Sequence, residues 1–214
     1  MPRRPLPTAA ALTTAAALLL TACGGGEDTT GGGKAAEADQ ATRSAAPGAT
    51  AEKGPDRPRI ELPSDLTYEF DWARTGDRDK DAVLRDGEQF IKATDLAIAE
   101  QDPTHQAYRF YAEGEAAAGT QTYVQRFVDH KARTTGTYRF SKARVSVKGG
   151  TASLVYCENQ GKAYNKDIET GKVDVTPVSE NSYVVYSTRL RKNDRGVWVT
   201  EKVVSRRGAA QCRP

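Results

Sequence analysis

A chain of 214 residues carries 31 Lys and Arg against 28 Asp and Glu, a formal charge of +3. That near balance gives no general case for nucleic-acid binding. The three cysteines, Cys23, Cys157 and Cys212, lack the close spacing that metal sites and redox-active pairs use. No cofactor-binding glycine loop, no Ser/His/Asp order and no closely spaced pair of catalytic-looking acids stands out, so neither a cofactor nor a metal is expected.

The chain begins with Arg3 and Arg4 and then runs uncharged from Pro5 to Ala22, through an apolar core at Ala9 to Leu20. A basic start, an apolar middle and small residues at the end predict an export signal over 1–22. The core is too short and too rich in Thr and Ala for a membrane span of about twenty residues. Leu20-Thr21-Ala22-Cys23 resembles the lipobox of bacterial lipoproteins. The resemblance implies that the Cys23 thiol receives a diacylglyceryl group and that the mature chain starts there, held on the outer face of the cell membrane. Two acyl chains are needed, because one alone binds a bilayer only marginally. Arg3-Arg4 leaves general secretion and twin-arginine export both open.

From Gly24 to Arg59 the sequence is Gly, Ala, Thr and charges with no large apolar side chain. Such a segment buries too little to offset its conformational entropy, so 23–59 reads as a lipidated cysteine with a disordered tether spanning roughly 30 Å. It serves either to let a folded domain search the cell envelope or only to clear it from the lipid heads.

The remaining 60–214 has the size of one domain with one core. "LTYEFDW" alternates, with Leu66, Tyr68, Phe70 and Trp72 on one side, and predicts a short strand. Asp77 is a good N-cap for a long helix with Val83, Gly87, Phe90, Ile91, Thr94, Ala97 and Ile98 at helical spacing, closed by Pro103. A short helix follows around Ala107 to Ala112, then another with Tyr123, Val124, Phe127 and Val128 on its apolar side. After Gly136 four β-branched and aromatic runs are separated by Gly149-Gly150, "DIETG" and "KNDRG". Helices first and a meander afterwards predict an α+β fold, helices packed on a curved antiparallel sheet of four strands or more.

This order of elements, with "TTGTYRF" at the start of the sheet and a cysteine near the end, resembles the small actinobacterial lipoproteins that carry a nuclear transport factor 2-like (cystatin-like) cone. The resemblance implies a curved sheet wrapped around a long helix with a pocket at the wide end, and a frequent homodimer through the sheet. It does not settle function, because the same cone hosts isomerases, dehydratases and cyclases as well as domains without activity.

With Cys23 acylated, Cys157 and Cys212 are left to pair outside the cell, where disulfides persist. Their bridge closes a loop of about 55 residues, contributes roughly 4 kcal/mol in the chain-entropy model and pins the C-terminal tail to the sheet.

An enzyme on this cone needs an acid or base inside it. Of the two histidines, His105 belongs at a helix start, and His130 is the catalytic candidate, near the apolar face of its helix. Tyr108, Tyr111, Tyr123, Tyr138, Tyr156 and Tyr183 either line a pocket for a hydrophobic small ligand or simply fill the core. Arg189, Arg191, Lys192, Arg195, Lys202, Arg206 and Arg207 gather on one hairpin, either as a contact for anionic lipid or wall polymer or as a solvated guard of a sheet edge.

The leading expectation is a non-catalytic binding or assembly module at the cell surface, its cone filled by its own side chains. The alternatives are a small isomerase- or dehydratase-type enzyme using His130 or a buried Tyr or Asp inside the cone, and an accessory that docks on an envelope protein through its sheet.

Overall fold

The computed structural model describes residues 55–214. The expected signal, Cys23 and most of the expected tether lie outside them. Among the described residues no helix is long and apolar enough to cross a membrane.

A short strand β1 (Leu66–Phe70) comes first, then helices α1 (Arg78–Ala99), α2 (Gln106–Tyr111) and α3 (Gly114–Asp129). Strands β2 (Ala132–Lys148), β3 (Thr151–Asp167), β4 (Val173–Asp174), β5 (Tyr183–Lys192) and β6 (Trp198–Arg207) complete one sheet in the order β1-β2-β3-β5-β6, with β4 beside β3. The fold is α+β, with the helices on one face of the sheet.

Helix α1 starts where its cap dictates. The Asp77 carboxylate accepts from the backbone N–H of Asp79 and Lys80 at 2.9 and 3.1 Å, and Asp79 and Asp81 favour the positive end of the helix dipole. Its buried face, including Val83, Leu84, Phe90, Leu96 and Ile98, meets two groups of partners. The first half packs with Phe140, Leu154, Leu190 and Trp198 of the sheet, and the second with α2, α3 and Val197 and Val199.

Strands β2, β3, β5 and β6 form the expected antiparallel meander. The third expected run is shorter than its composition suggests. Between β4 and β5 the chain leaves the sheet, with Val175 and Val178 66% and 59% exposed, and Pro177 in that stretch has no N–H to give a ladder. The sheet curves at β2, whose register with β3 shifts between Thr137 and Arg139 and again between Ser141 and Arg144. The first shift places the extra residue on β3 and the second places it on β2, and each bends the pair.

Strand β1 pairs parallel with β2, Leu66 opposite Gly136 and Phe70 opposite Phe140. Gly136 explains the glycine of "TTGTYRF". Its φ of +87° suits glycine alone, and a Cβ there would strike the Lys162 carbonyl on β3.

The folded unit begins before Ile60, the boundary that composition predicts. Arg57 places Nη1 2.6 Å from Asp86 Oδ1 in α1 and its guanidinium over the Tyr111 ring at 5.8 Å. At the other end Cys157 and Cys212 form the expected disulfide, with Cα atoms 5.3 Å apart. It holds a 3-10 turn at Ala210–Cys212 against the outer face of β3, where Ala209, Tyr183 and Val185 complete a small apolar cluster.

Candidate functional site

The cone is not filled. A cavity of about 300 Å³ opens between the second half of α1, the middle of α3 and the inner face of the sheet. This corrects the expectation of a self-packed core. The side chains that would fill this end of the cone are polar-tipped tyrosines and two acids, which do not interdigitate as the leucines of the closed end do.

Three acids line the cavity: Glu115, exposed and held by Lys202, and the two considered next, Asp95 and Glu158. Asp95 follows Ile91 by four residues and precedes Ile98 by three, so the helix itself aims it along an apolar stripe. Glu158 continues the inward alternation of Ala152, Leu154 and Tyr156 on β3, all of them buried.

The Asp95 carboxylate accepts from the Thr134 hydroxyl at Oδ1, 2.8 Å, and from the Tyr68 hydroxyl at Oδ2. Burial pushes the Asp95 carboxyl up to about 7, the Thr134 hydrogen bond pulls it back, and the charge of Glu158 raises it again. Among the described residues no cation stands beside it. Burial also raises Glu158, against hydrogen bonds from Tyr186 and from Gln160, whose Nε2 lies 3.0 Å from Oε2. Arg207 is the smallest influence on Glu158.

Tyrosines surround the two acids. Tyr156 and Tyr186 stack at 5.1 Å between ring centroids, and Tyr138 meets Tyr68 edge to face at 5.5 Å. Tyr123, on α3, is 43% exposed at the rim. Burial first, and then the neighbouring acids, raise the phenols of Tyr123, Tyr138, Tyr156 and Tyr186, so that they stay protonated and able to donate. The arrangement can grip a small molecule by its apolar body, donate hydrogen bonds to one polar group, and take or give one proton at Asp95.

The residues singled out from sequence separate. Tyr123, Tyr138 and Tyr156 line the cavity, whereas Tyr108 and Tyr111 are wholly buried among the helices and Tyr183 packs by the disulfide on the outer face. His105 caps α2, its Nδ1 accepting from the Ala107 N–H at 3.1 Å. His130 is exposed at the C-cap of α3 and does not line the cavity. It comes after the helix turn that faces inward, and the carboxyl groups inside the cavity are those of Asp95 and Glu158 instead.

The basic hairpin also departs from expectation, because acids from the helices reach it. Arg189 pairs with Glu201 at 3.1 Å, Arg191 with Glu113 and Glu201 at 2.5 and 3.3 Å, Lys192 with Asp79 at 2.8 Å and Lys202 with Glu115 at 2.9 Å. Arg195 lies over the Phe110 ring at 4.7 Å, and Arg206 reaches Gln211 at 3.4 Å. The seven charges therefore do not form one positive patch, and Arg207 alone lines a cavity, described below.

No family model matches the sequence, and no curated protein matches it. Solved structures do. A protein of the NTF2-like family from Streptomyces avermitilis, assigned there as a prospective dehydratase, is 14% identical with a TM-score of 0.43, over 64% of this chain and 100% of its own. A ketosteroid isomerase-like protein from Erwinia carotovora atroseptica is 12% identical with a TM-score of 0.40, over 60% and 95%. The intermembrane space region of the chloroplast protein ARC6 is 14% identical with a TM-score of 0.39, over 61% and 98%. These are likenesses in the path of the chain, and no residue role passes from one protein to another through them.

Proposed function

We propose that this chain is a lipid-anchored extracytoplasmic protein with a nuclear transport factor 2-like cone that binds a small, largely apolar molecule and exchanges a proton with it at Asp95. The reaction is of isomerase type, in which a proton leaves one carbon and returns at another, or of dehydratase type, in which a proton leaves one carbon, the C–O bond at the next carbon breaks as the double bond forms, and the hydroxyl takes up a proton and departs as water. The order of helices, curved sheet and open-ended cavity supports the cone, and the Cys157–Cys212 bridge fits an oxidising compartment. Anchoring through Cys23 rests on the lipobox alone.

The observation that carries the chemistry is a carboxyl group in a tyrosine-lined cavity with two hydroxyl partners and, among the described residues, no cation. Near neutral pH such a group populates both its forms, which suits a group that must accept a proton and return it. The tyrosine hydroxyls supply donors for the negative charge that grows on the bound molecule.

A non-catalytic binding module is favoured by one feature of the same site. Asp95 already accepts from Tyr68 and Thr134, as a purely structural acceptor would. Deuterium exchange at the carbon next to the carbonyl of small cyclic ketones, followed by NMR in D₂O, separates the two readings. Catalysed exchange in the native protein that falls by roughly 10²-fold or more in D95N is the expected result. Ketones that bind without exchanging would overturn catalysis and leave the binding module.

A further inference from the structure

We propose, resting on that reading of the cone, that the bound molecule carries a carboxylate at the end remote from Asp95, received by Arg207 in a second cavity. This cavity, of about 250 Å³, shares Tyr123 and Tyr138 with the first, so the two adjoin across one pair of rings. The inner cavity is lined by three acids, Asp95, Glu115 and Glu158, and by no basic residue. The outer one is lined by the amides of Gln160 and Asn165 and by the guanidinium of Arg207.

Arg207 is held in place for this role. Its Nη1 donates to Gln160 Oε1 at 2.7 Å and to the Asn181 carbonyl at 3.1 Å. Among the described residues it has no carboxylate partner, unlike Arg189, Arg191, Lys192 and Lys202 of the same hairpin. Gln160 is fixed from the other side, since its Nε2 donates to Glu158 Oε2. One amide thus ties the wall of the inner cavity to the cation of the outer one.

The charge of the ligand follows from the rest of the lining. Asp174 on β4 faces the same outer cavity, exposed at its rim and opposite Asn165 in the sheet. One cation beside one anion receives a single negative charge better than a doubly charged phosphate. A carboxylate also matches the planar donor fork of a guanidinium.

Binding of three probes to the full chain, measured by titration calorimetry, tests this. They are 2-naphthol, 6-hydroxy-2-naphthoate and the neutral 6-hydroxy-2-naphthamide. The naphthoate is expected to bind about tenfold more tightly than the amide, a charge-assisted hydrogen bond at an exposed guanidinium being worth about that much. R207Q should abolish the preference, and R207K, which keeps the charge and checks the fold, should retain part of it. Equal binding of naphthoate and amide, or a preference that survives R207Q, overturns the carboxylate subsite. Because 2-naphthol has no group to reach Arg207, its binding reports the inner cavity alone. Its binding without any naphthoate preference refutes only the subsite, whereas its failure to bind refutes the cavity reading and the subsite together.

Discussion

Two aspartates nine residues apart on α1 live in opposite circumstances. Asp86 is fully buried, yet its oxygens accept from Arg57, from Arg85 at 3.2 Å and from the backbone N–H of Trp198 at 2.9 Å. Asp95 has only hydroxyls for partners and a cavity in front of it. Leu84, Leu154, Leu190 and Trp198 close the first end, and tyrosines leave the second open. A buried acid that is saturated by charge and backbone is part of the scaffold, whereas one left short of a cation is available for chemistry.

Removing the saturated acid should cost most. D86A leaves the Trp198 N–H and the Arg57 guanidinium without their acceptor, and we expect a loss of about 4 kcal/mol, seen as a fall in Tm of about 10 °C. A loss under about 1 kcal/mol would erase the distinction between the two ends. Next comes the disulfide. Its Cys157 is adjacent to Glu158, so replacing both cysteines by alanine should destabilise by about 3 kcal/mol. Amide exchange should then rise first around β3 and the C-terminal turn, while the Asp86 end stays protected.

The smallest effect has the most specific sign. The folded Asp95 carboxyl, at about 7, lies above its unfolded value of about 3.9, so the folded state holds this proton more tightly. The resulting stability is fully present below about pH 4 and is lost as pH rises through 7. Urea unfolding at pH 5 and pH 8 should show a drop for the native chain that D95N reduces by on the order of 2 kcal/mol. Asp65, held well below the usual carboxylate range first by Arg133 and then by Lys166, acts in the opposite direction at lower pH. The difference between native chain and D95N isolates Asp95. An unchanged pH slope would mean that the cavity solvates Asp95 as water does.

Much of this was legible locally. The Asp77 cap, the stripe on α1, the β-branched runs and the pairing of two remaining cysteines are properties of neighbours in sequence or of simple counting. The acids of the cavity were also within reach. Asp95 interrupts an apolar stripe and Glu158 ends an inward alternation, and both signals lie in local sequence. What sequence could not give is what arrives from afar. The parallel pairing of β1 with β2, the approach of Glu113 and Glu115 to the hairpin, and the docking of Arg57 all depend on how distant segments meet.

The Arg57 clip also has a mechanical meaning. Tension on the chain ahead of Pro55 reaches the guanidinium–carboxylate pair before it reaches β1, and Asp86 passes that load to the middle of the longest helix. The same rod carries Asp95 two and a half turns further on. Force applied ahead of Pro55 would thus act on the axis of α1 before it acts on the parallel strand β1.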